Sequence, residues 1–308
     1  MIGIEEIGIY LPKKKISNFE LREKFNVDDN FINNKIGFTH TSKKSVDEET
    51  SDLCVNAFQK LYEKTKLIKK DIKAIIVVTQ NPDFNLPHTS AIVHGKLDLP
   101  ENCAAFDISL GCSGFAYGLS ILESFMTKND LDKAVLFTAD PYSKIIDETD
   151  INTTLLFGDG AAATLVSDNP ILKSGKFTFG TIGNQHEELI CRNNDLKMNG
   201  RSIFNFAARY VPKDVKKVLE INNIAMQDVD MFAMHQGSKY IIDTIAKKLK
   251  LPSNKIPFLA KEYGNVVSSS IPFILEPILD KSNYKTILIS GFGVGLSWSS
   301  TILEKISK

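Results

Sequence analysis

No stretch of the 308-residue chain approaches the roughly 18 consecutive apolar residues that cross a bilayer. Surplus charge is missing too: 37 Lys and Arg balance 37 Asp and Glu, so the net charge is zero. A neutral chain lacks the bulk electrostatic footprint of a nucleic-acid binder. Cysteine is sparse, with Cys54, Cys103, Cys112 and Cys191 showing neither a CxxC pair nor metal-ligand spacing. Four such residues in so long a chain form no disulfide framework, and a reduced, cytoplasmic protein is expected. The opening MIGIEEIGIYLPKKK carries Glu5 and Glu6 where a secretory leader needs positive charge and an apolar centre. It reads as a first strand running into a turn at Pro12. The five histidines are too scattered to suggest a metal site.

What is present is ordinary globular composition, 43% hydrophobic and 24% charged, which excludes disorder and fibrous repeats. Strand-like runs (74–79, 134–139, 161–166, 231–235, 286–290) alternate with helix-length segments (50–64, 113–127, 207–221, 239–250, 271–281). That alternation predicts an α/β fold with a mainly parallel sheet. In the segment 239–250, Ile241, Ile242, Ile245 and Leu249 fall at helical spacing, with Lys247, Lys248 and Lys250 off that face.

The chain also resembles itself. DIKAIIVVTQN (71–81) parallels DVDMFAMHQGS (228–238), and GCSGFAYGLSIL (111–122) parallels GNVVSSSIPFIL (264–275). KAVLFTAD (133–140) pairs with KTILISGF (285–292), and FGDGAAATLVSD (157–168) with GLSWSSTILEKI (295–306). Four blocks in one order imply duplication, with halves 1–168 and 169–308 meeting at Asn169–Pro170. The repeat makes Cys112 and Asn265 equivalent, each entering a helix, while His235 ends a strand in the second half. Strand C-termini and helix N-termini share one side of such sheets, where ligands bind.

Each candidate has a plainer alternative. Cys112 follows a strand-like run and a Gly turn, and a helix N-terminus favours a thiolate able to accept an acyl group. A free cysteine is also often simply buried. His235 can donate a hydrogen bond or move a proton, or be a satisfied strand-end histidine. Asn265 alone reads as a turn residue or cap. Gly158–Ala163 fits GxGxxA, but ATLVSD after it reads as strand where a dinucleotide site needs a helix. Close backbone packing is the expectation there. The Gly-rich 291–296 lies between two strands and could line a site with an N–H donor.

Five blocks together resemble β-ketoacyl-acyl-carrier-protein synthase III, a thiolase-fold condensing enzyme: GCSGFAYGLS around Cys112, FGDGAAA (157–163), HQ (235–236), YGN (263–265) and GFGVGLSW (291–298). The resemblance spans essentially the whole chain. It implies a thiolase-like α/β fold of two pseudo-twofold-related halves in five layers, αβαβα. It implies ping-pong decarboxylative condensation of an acyl-CoA, acetyl-CoA foremost, with malonyl-acyl carrier protein, using no cofactor and no metal. Cys112 would carry the acyl group, His235 and Asn265 would donate hydrogen bonds to the malonyl carbonyl, and the backbone N–H groups of Cys112 and Val294 would form the oxyanion hole. Phe31, Lys35, Leu86, Ile151, Phe204 and Phe292 would contact substrate, with Leu86 reaching a homodimer partner's acyl pocket. Lys239, Lys247 and Lys248 would dock the carrier.

The departures lie at the ligand positions. Phe31 and Ile151 stand where the family clamps adenine between Trp and Arg, Tyr240 where it has a docking Arg, Asn205 where it has a docking Lys, and Val294 where it has Gly. Two other readings stay open: a paralogue moving a small acyl group from a carrier onto a sugar or other metabolite, and a non-catalytic partner subunit.

Overall fold

The run Ala74–Val78 is buried along its whole length, as a strand covered on both faces must be. It belongs to a ten-stranded sheet in the computed structural model, which describes residues 1–306. The strands are β1 (Gly3–Tyr10), β2 (Ala74–Val78), β3 (Ala104–Ile108), β4 (Lys133–Ala139), β5 (Ala161–Ser167), β6 (Leu172–Ser174), β7 (Thr178–Thr181), β8 (Met231–Met234), β9 (Thr286–Gly293) and β10 (Ser297–Lys305). Their order is β8-β9-β10-β6-β1-β5-β4-β2-β3, with β7 pairing β10.

The sheet is mixed, which corrects the expectation of mainly parallel pairing. Only β2–β3, β2–β4 and β8–β9 are parallel; the other pairs run antiparallel. The reason is connection length. Residues 294–296 link β9 to β10, far too few for the crossover that a parallel partner needs. The sequence 2-4-5-1 in the first half has the same relative directions as 8-9-10-6 in the second. The two sets meet at a single register pair, Ile4 with Leu172. The strand blocks matched by sequence therefore occupy corresponding places in the two sets.

Six helices complete the layers: α1 (Thr50–Thr65), α2 (Thr89–Leu97), α3 (Gly114–Lys128), α4 (Gly200–Asn222), α5 (Lys239–Leu249) and α6 (Ser270–Leu275). α1 and α2 pack only on first-half strands, while α4 packs on β9 and β10 with α5 against it. α3 touches β2 and β4 but also β9 and β10; α6 touches β8 and β9 but also β1 and β5. These two are the middle of five layers, and the largest core forms around them, with Phe115, Leu119, Ile271 and Ile274 beside Ile4, Ile76 and Ile289.

Two helix boundaries differ from expectation for local reasons. α4 begins seven residues before 207 because the Asn199 carboxamide oxygen accepts the Ser202 N–H and caps it there. α6 ends at Leu275, and Glu276–Ile278 tightens to a 3-10 turn, because Pro277 has no N–H to donate.

Gly158 joins the halves. Its N–H donates to the Asn265 carbonyl at 3.0 Å, and the Asn265 N–H donates to Leu156 at 2.8 Å. A Cβ at Gly158 would fall 1.9 Å from the Tyr263 carbonyl oxygen. This is the close backbone packing expected of the GxGxxA segment, which continues into a strand. Gly158→Ala should therefore destabilise the fold by about 1–3 kcal/mol, measurable by urea unfolding. Unchanged stability would mean that the two backbones do not need this approach.

Candidate active site

Cys112 lies between β3 and α3, four per cent exposed. The end of β9 packs directly on it: a Cβ at Gly291 would meet the Cys112 carbonyl, and one at Gly293 would sit 2.7 Å from Cys112 Cβ and Sγ. Glycine is required there for space. Val294 follows, and the left-handed conformation of this turn falls on Gly295 (φ 133°) rather than on the valine. The N–H groups of Val294 and Cys112 both face the sulfur.

Burial nevertheless pushes the Cys112 thiol up to about 12, with the Asp140 carboxylate adding to it and the two N–H groups opposing. A thiol raised in this way disfavours the thiolate. A helix N-terminus returns about 0.3–1 kcal/mol. Burial of the thiol therefore opposes the thiolate that the helix N-terminus favours.

His235 directly follows β8, three per cent exposed, its N–H donating to the Ser290 carbonyl at 2.9 Å. Burial pushes the imidazole down to about 3, only partly offset by the Val267 carbonyl. The ring is neutral at neutral pH, and its Nδ1 has no hydrogen-bond partner. Phe292 stands edge-on to it, centroids 5.5 Å apart at 88°. The fully buried Gln236 fixes the turn beyond, donating to the Met234 and Pro257 carbonyls and accepting the Leu259 N–H. Asn265, four per cent exposed, accepts the Val267 N–H on Oδ1 at 2.9 Å, which leaves its amide nitrogen to donate elsewhere.

Val267 is the meeting point, a role that no sequence pattern signals. It shares one buried cluster with Cys112, Tyr142 and Phe157, its carbonyl faces His235, and its N–H holds Asn265. It is also a β-branched residue at φ 50°, a conformation that costs about 1–3 kcal/mol. Asp140, just after β4, is the other omission. Its Oδ1 accepts from Asn81 Nδ2 at 2.6 Å and the Gln80 N–H at 3.2 Å, and burial pushes it up to about 7. The only available signal was an acid following the buried run Ala134–Ala139.

Two cavities flank the cluster. One of about 660 Å³ is lined by Phe31, Lys35, Ile151, Phe204 and Gly237, the last of these being two residues after His235 in sequence. The other, about 710 Å³, lies beyond Val294 and takes in Tyr142 and Leu189. Two of the expected substrate residues line neither: Phe292 packs on His235, and Leu86 is 87% exposed on the surface. Lys239 is paired with Asp243, whereas Lys247 and Lys248 are exposed on α5 with no ion pair among the described residues. Among the described residues no helix is long and apolar enough to cross a membrane, and no cluster of three or more His, Cys, Asp or Glu could hold a metal.

Residues 106–183 match the family model for 3-oxoacyl-[acyl-carrier-protein] synthase III, and residues 219–305 match that for its C-terminal part. The β-ketoacyl-[acyl-carrier-protein] synthase III of Streptococcus sanguinis is 33% identical, covering 97% of this chain and 98% of its own. That of Caldanaerobacter subterraneus is 34% identical, covering 98% and 97%. The crystal structure of 3-oxoacyl-[acyl-carrier-protein] synthase III from Aquifex aeolicus superposes with a TM-score of 0.92 at 28% identity, over 99% of this chain and all of that one. The five-layered arrangement is thus the thiolase-like fold.

The neutral thiol has a measurable consequence. Below its pKa a thiol's reactive fraction rises about tenfold per pH unit. Carbamidomethylation of Cys112, followed by peptide mass spectrometry, should keep accelerating from pH 7 to beyond pH 9.5. A plateau near pH 7–8 would show that the helix N-terminus prevails over burial.

Proposed function

Because the chain belongs to the 3-oxoacyl-[acyl-carrier-protein] synthase III family, we propose that it condenses an acyl-CoA, acetyl-CoA foremost, with malonyl-acyl carrier protein through an acyl-Cys112 intermediate. The observation that carries the assignment of roles is Val267, whose backbone N–H holds the Asn265 Oδ1 and whose carbonyl faces His235 while its side chain packs in the cluster of the nucleophile.

In the first half-reaction the Cys112 sulfur attacks the thioester carbonyl and gives up its proton as the CoA thiolate leaves and is protonated. The negative oxygen of the tetrahedral intermediate is held by the N–H groups of Cys112 and Val294. In the second, the malonyl thioester carbonyl accepts hydrogen bonds from His235 and the Asn265 amide. Carbon dioxide departs, and the electron pair of its carbon–carbon bond forms the enolate those donors stabilise. The enolate attacks the acyl-Cys112 carbonyl, a new carbon–carbon bond forms, and the Cys112 thiolate is expelled and reprotonated. A neutral imidazole suits this task, since it donates one N–H without a charge that burial would penalise.

The three buried groups disfavour a non-catalytic partner subunit. Transfer to a sugar or other metabolite has no particular support from the site. We assign the substrate channel to the cavity lined by Phe31, Lys35, Ile151 and Phe204, and carrier docking to Lys247 and Lys248, with Lys239 tempered by Asp243. We further infer two halves divided after residue 168, a cytoplasmic setting, and a homodimer in which the exposed Leu86 reaches the other protomer's pocket.

Cys112→Ala should abolish acetyl loading by intact mass, while His235→Ala and Asn265→Ala should load but lose about 10²–10³ in malonyl decarboxylation. Loading that persists in Cys112→Ala, or is lost equally in all three variants, would overturn the assignment of roles.

A further inference from the structure

Building on the proposed acyl-CoA donor, we infer that the adenine of coenzyme A stacks on Tyr240, with its phosphates between Lys35 and Arg201. The cavity lined by Gly237 has three aromatic rings on its wall, Phe31, Phe204 and Tyr240, and a base can use only a ring with an uncovered face. Phe31 carries the Lys35 ammonium 5.2 Å above its centroid, so an adenine there would displace a cation–π contact. Ile151, on the same wall, has no flat surface to complete a sandwich. Phe204 is covered by Tyr240, their centroids 4.9 Å apart and their planes within 19°.

Tyr240 is different. It lines the cavity, stacks on Phe204 and is 49% exposed, where Phe204 is half-buried. A ring already stacked on a second ring is held in orientation, so little freedom is lost when a base adds to the pile. The charges agree with this placement. Lys35 and Arg201 line the same cavity, no carboxylate lines it, and neither cation makes an ion pair among the described residues. Two unpaired cations beside an exposed aromatic ring suit a base that carries phosphates. The pantetheine arm then runs inward past Ile203 and Gly237 toward His235.

The position after Lys239, where the family resemblance leads one to expect a carrier-docking Arg, thereby serves donor specificity instead. The test compares acetyl-CoA with acetyl-4′-phosphopantetheine, which lacks the adenosine. Base–aromatic stacking is lost in Tyr240→Ala and kept in Tyr240→Phe. The alanine variant should lose about tenfold more kcat/KM with acetyl-CoA than with the shorter donor, chiefly through KM, and the phenylalanine variant should stay near wild type. Adenosine 3′,5′-bisphosphate, the nucleotide alone, should inhibit wild type competitively and the alanine variant much more weakly. An equal loss with both donors, a CoA-selective loss in Phe31→Ala instead, or an effect confined to the malonyl-carrier step would overturn the inference. Wild-type protein that loads from neither donor would instead remove the proposed function on which it rests.

Discussion

The site depends on the backbone of one residue being forced into a conformation its side chain resists. Val267 sits at φ 50°, where a β-branched residue is strained, and from there its N–H meets Asn265 Oδ1 while its carbonyl faces His235. Relaxing it to an ordinary turn would swing both groups away and release both side chains. What holds it is the middle layer. The turn leads straight into α6, whose residues are buried throughout between strands of both halves. Packing around Ile271, Phe273 and Ile274 is worth about 1.5–3 kcal/mol per side chain, enough to offset the strain of about 1–3 kcal/mol. The core of the fold and the geometry of the site are therefore the same structure seen from two ends.

Burial sets the electrostatics as firmly as it sets the geometry. The thiol rises to about 12 and the imidazole falls to about 3, both because the low-dielectric interior penalises whichever form is charged. The resting pair is consequently neutral–neutral, not a thiolate–imidazolium pair. Charge develops only during reaction, first on a carbonyl oxygen beside the Cys112 and Val294 N–H groups and then on an enolate oxygen beside His235 and Asn265. Fixed donors in a site that excludes water stabilise such charge without reorganising. Asp140 fits the same logic: burial pushes its carboxyl up while it ties down Gln80 and Asn81.

Much of this was legible in the sequence because duplication leaves a pattern that survives divergence. Strand blocks keep their apolar character since both faces are covered, and Gly293 keeps its identity since nothing larger fits against Cys112. The direction of the strands was less legible. Periodicity registers a buried strand but not its partner's orientation, and only the three-residue link at 294–296 reveals the antiparallel return. Val267 was invisible for a deeper reason. Its role resides in its backbone, and nothing about a valine announces a left-handed φ. The helix position of Cys112 is readable from local sequence, whereas the burial that opposes a thiolate there is not, since Gly291 and Gly293 pack on it from far along the chain.

The ligand channel shows how a conserved reaction can sit beside an altered recognition surface. The catalytic groups are constrained from several elements at once, so no single substitution among them is cheap. The channel wall is less uniform: Phe31 and Ile151 are half-buried against the cluster of Ile32, Ile36 and Leu155, whereas Tyr240 is exposed. Loss of one stacking surface there can be offset by gain of another on the opposite wall, provided that a ring is already backed by a second ring, as Tyr240 is by Phe204. Position-by-position comparison treats the departures at 151 and 240 as separate. Physically they belong to one cavity, whose wall also carries Lys35 and Arg201.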